Sequence, residues 1–233
     1  ITTTVHSGDT LDLSGTFTGK TFDLTVPCTL TSSQNNANLI DSIVKIEQSA
    51  SGSSVSNLHI QNSNEIIGLV IDTSENNTVT NNFINTTGFT LIVSSSNNNK
   101  ISKNYLSSNP YSGIITHSTL VLVLSNNTSI DDNIVETAGS ANSIYLCIYS
   151  AGDYTGGPCY YNNITNNKIS TTISNPSAYN YANCVFGSYN LVEGNTINDA
   201  YAGIIINRPY NNVIGNTLNN IKGTTDYGSS TIV

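Results

Sequence analysis

The residues best equipped for chemistry are two adjacent carboxylates, Asp131 and Asp132, a single arginine, Arg208, three histidines and four cysteines. Cleaving a polysaccharide takes two or three carboxylates around the scissile bond, or Ca2+ ligands with a Lys or Arg base. The repeat register set out below places Asp132 over Lys103, and Asp131 beside Ser102 and Thr165. That favours a surface ion pair worth under about 1 kcal/mol over an acid–base couple. Pro209 confines Arg208 to extended backbone, which gives it a turn-forming role. His6, His59 and His117 fall on separate repeats with no His or Cys at ligand spacing, an argument against a transition-metal site. Scattered Asp and Asn would support no more than weak Ca2+ binding, and no cofactor is expected.

Cysteine and tyrosine are distributed unevenly. Cys28 lies several repeats before the others and reads as a buried thiol, since a bridge needs Cα atoms within about 7 Å. Cys147–Cys159, closing the insertion SAGDYTGGPCYY, is the first disulfide candidate and Cys159–Cys184 the second, with fully reduced thiols the remaining alternative. Ten of the 13 tyrosines lie between Tyr145 and Tyr210, where the repeats are enlarged. Tyr149, Tyr154, Tyr160 and Tyr179 are the candidate ligand-binding residues, because a flat apolar ring with one hydroxyl suits a sugar or a protein surface. Asp153, in a Gly-rich loop, would accept sugar hydroxyls or hold a weakly bound Ca2+. The competing reading is that the tyrosines cover the edge of the core.

Positioning these groups falls to an uncharged chain. Charged residues make up 9% of the 233, against about a quarter in an ordinary soluble domain. Solubility rests instead on 36 Asn and 60 Ser plus Thr. The net charge of −8 weighs against nucleic acid and anionic bilayers as partners. No apolar run reaches the roughly 18 residues of a membrane span.

One cassette, apolar-x-x-Asn-x-apolar, recurs as Val79-Asn82-Ile84, Ile101-Asn104-Leu106, Ile130-Asn133-Val135, Ile164-Asn167-Ile169, Val192-Asn195-Ile197 and Val213-Asn216-Leu218. Most copies are introduced by Asn-Asn or Tyr-Asn, and Val55-Leu58-Ile60 has Leu in the Asn place. Second apolar stretches such as Leu91 to Val93 and Leu120 to Leu124 lie between cassettes, so each period holds at least two short strands. Short strands at a period of about 21 to 34 residues predict a β-solenoid, with successive coils about 4.8 Å apart. In that stack Asn82, Asn104, Asn133, Asn167, Asn195 and Asn216 form an inward ladder at a turn, where Asn tolerates left-handed backbone. Asn126 is expected on an exposed turn.

The segments NNTVTNNFI, NNKISKNYL and NNVIGNTL resemble the repeats of right-handed parallel β-helix proteins, especially the Asn/Thr-rich adhesin-like surface proteins of methanogenic archaea. VHSGDTLDLSGTFTGKTFDLTVPCTLTSS resembles their lead-in segment. The resemblance implies an all-β fold: a right-handed parallel β-helix of about eight or nine coils with lateral loop insertions. It forms a single domain over 1–233, with lead-in coils at 1–54 and Asn-ladder coils at 55–233. Asp131-Asp132 also resembles the paired Asp of polygalacturonase-like hydrolases, but their Gly-His-Gly and Arg-x-Lys motifs are absent.

The function implied is that of a non-enzymatic, extracellular, adhesin-like module binding glycans or a cell-surface partner. A polysaccharide lyase or glycoside hydrolase of the same fold is the alternative, and a self-assembling filament or surface-layer subunit is the third reading. The terminal run YGSSTIV suggests an open sheet edge available for such assembly. No basic segment followed by an apolar one stands at the start, so the chain reads as mature or trimmed. Asn76, Asn85, Asn126, Asn127 and Asn163 open Asn-x-Ser/Thr sequons and are the glycosylation candidates.

Overall fold

The computed structural model describes residues 4–63, 67–109, 116–139, 144–151, 159–173, 180–185, 187–200, 202–206, 208–221 and 230–232; for 116–117, 139, 144–151, 172–173, 180–184, 202 and 230–232 it describes the backbone alone. Strands recur in threes along the chain, and each member of a triplet joins a different sheet, so three nine-stranded sheets wrap one core. Neighbouring strands pair in parallel from coil to coil, which makes the molecule a right-handed parallel β-helix. The one helical element among the described residues is a 3-10 turn at Gln48–Ala50.

The cassette proves to be a corner between two faces. In the coil of Thr78–Thr80 and Phe83–Thr86, Val79 lies on the first face and Ile84 on the second, and both are buried. Between them Asn81 takes φ +56°, and the same left-handed step recurs at Lys103, Asp132 and Asn166 with φ of 58°, 54° and 55°. One such residue redirects the chain without breaking the inward alternation on either side. The register then stacks like on like: Val55, Val79, Ile101, Ile130, Ile164, Val192 and Val213 on the first face. Ile60, Ile84, Leu106, Val135, Ile169, Ile197 and Leu218 do the same on the second. The third face contributes Leu69, Leu91 and Leu120, followed in register by the backbone of Ile148.

At the far end the expected bare edge is covered on one face. Ser230–Ile232 pairs antiparallel with the strand Ala202–Ile206, setting Ile204 against Ile232. The lateral insertions carrying Asp153, Tyr154 and Tyr179 lie outside the described residues.

Candidate functional site

Two amide ladders hold the corners of the coil. Along the first, each Asn side-chain oxygen accepts both the backbone N–H and the side-chain amide of the Asn one coil earlier: Asn104 donates to Asn133 at 2.9 and 3.0 Å, and Asn133 to Asn167 at 3.0 and 3.0 Å. The ladder runs through Asn82, Asn104, Asn133, Asn167, Asn195 and Asn216 as the cassettes predict, and Leu58 offers it only a backbone N–H, to Asn82 at 3.1 Å. The second ladder stands at the corner between the third and first faces, linking Asn77 to Asn99 and Thr128 through Asn162 and Asn190 to Asn211. Its sequence signal is the Asn-Asn or Tyr-Asn pair before most cassettes, with Asn127-Thr128 in that place before Ile130, and the second member of each pair is the rung.

The first member of each pair carries the site. Asn76, Asn98, Asn127, Tyr161, Tyr189 and Tyr210 occupy one row along this corner, all with left-handed backbone, φ 58°, 58°, 53°, 57°, 60° and 66°. Asn accepts this conformation readily, whereas a bulky side chain there costs about 1–2 kcal/mol. Stacking offsets that cost: Tyr161 and Tyr189 have ring centroids 5.4 Å apart and Tyr189 and Tyr210 5.1 Å apart, at interplanar angles of 19° and 9°. An aromatic pair contributes about 0.5–1.5 kcal/mol beyond its buried area. Tyr160 meets Tyr161 and Tyr189 edge-on at 6.3 and 6.4 Å. Carbon atoms in contact are about 3.5–4.0 Å apart. Centroids more than 5 Å apart therefore belong to rings slid past one another or spaced apart. The four tyrosines are 40%, 56%, 48% and 69% exposed in chain order.

A second aromatic row, His59, Phe83 and Tyr105, lies half-buried on the second face, with Phe83 and Tyr105 stacked at 4.9 Å. Tyr105 donates to Glu136 at 2.5 Å, and that bond, aided by burial and the carboxylate charge, holds the phenol above its ordinary pKa. Asp131 lies around the corner on the first face, accepting from the Thr165 hydroxyl at 2.7 Å and the Asn166 amide at 2.9 Å. Those two bonds, then Lys100 and Lys103, hold its carboxyl below the usual range. Asp132 does stack over Lys103, both at left-handed corner positions, but the ion pairs among the described residues are His6–Asp9 and Lys45–Asp23. Neutral donors therefore bond the Asp131 carboxylate directly, and the lysines act on it from a longer range. Asp131 and Glu136 thus face different ways, each with its own partners.

Of the predicted ligand-binding residues, Tyr160 stands in the tyrosine corner and Tyr149 is placed by backbone alone, in register between Val121 and Cys184. Tyr154, Tyr179 and Asp153 lie outside the described residues. Neither disulfide drawn through Cys159 forms. Cys159 is a fully buried thiol whose Sγ donates to the Leu122 carbonyl at 3.7 Å, because the turn carrying it points inward where Ser74, Ser96 and Ser125 point inward in earlier coils. Cys28 is likewise a buried thiol. Among the sequons, Asn76, Asn85, Asn127 and Asn163 are exposed. Asn126 departs from its expected role as an idle turn residue: its oxygen accepts the Tyr160 N–H at 2.7 Å and its amide donates to Asn97 at 3.1 Å.

Fold and corner together define a β-helix module with an exposed aromatic ridge. The chain belongs to the family described as periplasmic copper-binding protein (NosD), which matches residues 26–232. No curated protein matches it. Among solved structures, the catalytic domain of a GH87 alpha-1,3-glucanase in complex with nigerose is 15% identical with a TM-score of 0.47, covering 91% of this chain and 40% of that one. This chain therefore spans about two fifths of that domain's length. The surface adhesin PfbA of Streptococcus pneumoniae is 10% identical with a TM-score of 0.36, covering 94% and 86%. An exopolygalacturonase from Thermotoga maritima is 11% identical with a TM-score of 0.31, covering 85% and 58%.

The described residues do not fit the copper of the family's description. Copper sites draw on clustered thiolate, thioether or imidazole ligands. This chain has no Met, Cys28 and Cys159 are buried in the core, and His59 lies tilted against Phe83 while His6 pairs with Asp9. Among the described residues no three His, Cys, Asp or Glu side chains gather.

Proposed function

We propose that the chain is a non-enzymatic, exported surface module that attaches to glycans or to a glycan-bearing cell surface through its tyrosine corner. One observation carries this reading: three tyrosines are kept half-exposed, in strained left-handed backbone, at positions where the same row elsewhere uses Asn. Stacking returns roughly what the backbone costs, so the ridge adds little to stability and keeps aromatic groups exposed, the groups that supply most energy at such contacts. Export agrees with the periplasmic description of the family and with a surface built from amides and hydroxyls. From the enlarged repeats of the sequence, Tyr149, Asp153, Tyr154 and Tyr179 are proposed as further contacts.

The test is a binding panel of immobilised neutral and acidic polysaccharides with the wild type and a Tyr189→Asn, Tyr210→Asn variant. Asn suits the left-handed backbone, so the melting temperature should hold within about 4 °C while glycan retention is lost. Retention by the variant equal to wild type would reject the tyrosine corner. Release of reducing ends or unsaturated products from the bound glycan would replace the module with an enzyme.

A further inference from the structure

The tyrosines form one half of a longer track. Glu75, Asn97, Asn126 and Tyr160 occupy equivalent positions one residue before the left-handed row, and they are joined coil to coil. The Asn97 amide donates to the Glu75 carboxylate at 3.1 Å, the Asn126 amide donates to the Asn97 oxygen at 3.1 Å, and the Tyr160 N–H donates to the Asn126 oxygen at 2.7 Å. Backbone bonds tie the left-handed row to this line: Asn76 to Asn97, Asn98 to Asn126 and Asn127 to Tyr160, at 3.2, 3.0 and 3.0 Å. From Glu75 to Tyr210 the corner crosses five coil steps of about 4.8 Å, hence a length of about 24 Å. Its first half presents the exposed amides of Asn76, Asn98 and Asn127, and its second half the rings of Tyr161, Tyr189 and Tyr210.

Resting on the reading proposed above, we infer that this corner binds an extended, uncharged polysaccharide lying parallel to the rod axis, with its sugar rings against the exposed tyrosines and its hydroxyls on the asparagine amides. Three features select that ligand. An amide both donates and accepts, as a sugar hydroxyl requires, and an exposed aromatic ring suits the apolar face of a sugar ring. Both halves repeat at the coil spacing, so a linear polymer is read by a periodic surface, whereas a branched or folded ligand would engage one end only. Among the described residues, the charges beside the corner are of mixed sign, Glu75 and Lys100 along the amide half and Arg208 by the last tyrosine. A polyanion would need a row of cations, and the chain as a whole carries −8.

The experiment titrates cello-oligosaccharides and N-acetylated chito-oligosaccharides, from disaccharide to octasaccharide, into the wild type, an Asn98→Gly, Asn127→Gly variant and a Tyr189→Asn variant. Oligogalacturonides and deacetylated chitosan oligomers serve as charged controls. Gly accepts the left-handed backbone at both positions and removes only the amide. Affinity for the wild type should rise with length up to about the hexasaccharide and then level off. Each lost amide should weaken the long oligomer about fivefold while leaving the disaccharide unchanged, and Tyr189→Asn should weaken both. A plateau already at the disaccharide, with long-chain binding intact in the glycine variant, overturns the track but leaves the tyrosine corner standing. Tighter binding of either charged series overturns the neutral assignment. No measurable binding of any oligomer to the wild type removes both the track and the function proposed above.

Discussion

Truncating Asn133 to Ala cuts the first amide ladder in mid-rod, with intact coils on both sides. The Asn104 backbone N–H loses its acceptor at 2.9 Å, and the carbonyls of Ile101 and Asp131 lose a donor at 3.0 and 3.1 Å. Asp131 retains the Lys103 N–H, and the Asn104 side-chain amide retains the carbonyls of Val79 and Ser102. The Ile101 carbonyl keeps the Asp131 N–H of the parallel ladder, so the Asn104 N–H bears most of the loss, at a position 1% exposed. A buried group left unpaired costs about 1–3 kcal/mol, and with two carbonyls also losing a second donor Asn133→Ala should lose about 2–3 kcal/mol. In a chain of this size that lowers the melting temperature by on the order of 10 °C. Asn216→Ala is the control, since Asn216 accepts the same two bonds from Asn195 at 2.9 and 2.9 Å but at a part-exposed rung. Water replaces the side chain there, and the expected loss is about 1 kcal/mol. Paired thermal and urea melts decide the matter. Equal losses at the two positions would refute the claim that burial of the ladder, rather than its mere hydrogen bonding, stabilises the coil.

Gly187→Ala should be more damaging than an ordinary turn substitution, because an added Cβ would sit 1.8 Å from the Cys159 carbonyl oxygen, a backbone atom that cannot move aside; soluble yield and melting temperature should both fall. Cys28 and Cys159 should resist alkylation in the native state and react fully in denaturant, with burial also raising the Cys28 pKa; modification of either in the folded protein would contradict its inward placement. Asp131→Asn should matter only above the acid range. Because the native carboxyl is held below its unfolded pKa of about 3.9, its stabilisation is present above that pH and is lost as pH falls through the native value. The wild-type advantage, under about 1 kcal/mol at a solvated site, should therefore vanish in acid melts, and an advantage that grew on acidification would reverse the assignment.

The cassette spacing was enough to place Asn82 through Asn216 on one ladder and their flanking apolar residues on two faces. In a solenoid each of those residues answers to its counterpart one coil away, so a local pattern repeated along the chain already encodes the long-range contact. The ladder of Asn77, Asn99, Asn162, Asn190 and Asn211 was equally present in the Asn-Asn and Tyr-Asn pairs, but its meaning depended on the backbone. Only a left-handed first residue turns the second one inward. That Tyr161, Tyr189 and Tyr210 share a row was legible in the same pairs, each three residues before its cassette, but their left-handed backbone and their stacking needed the tertiary structure. Composition pointed instead to the tyrosines of the loops. Cys159 needed it too: on an insertion it reads as a surface residue, yet it occupies the inward turn position that Ser74, Ser96 and Ser125 fill in earlier coils. Sequence determines what repeats, because repetition is written in the spacing of residues; which way an interrupted coil turns its side chains is decided by the coils packed above and below it.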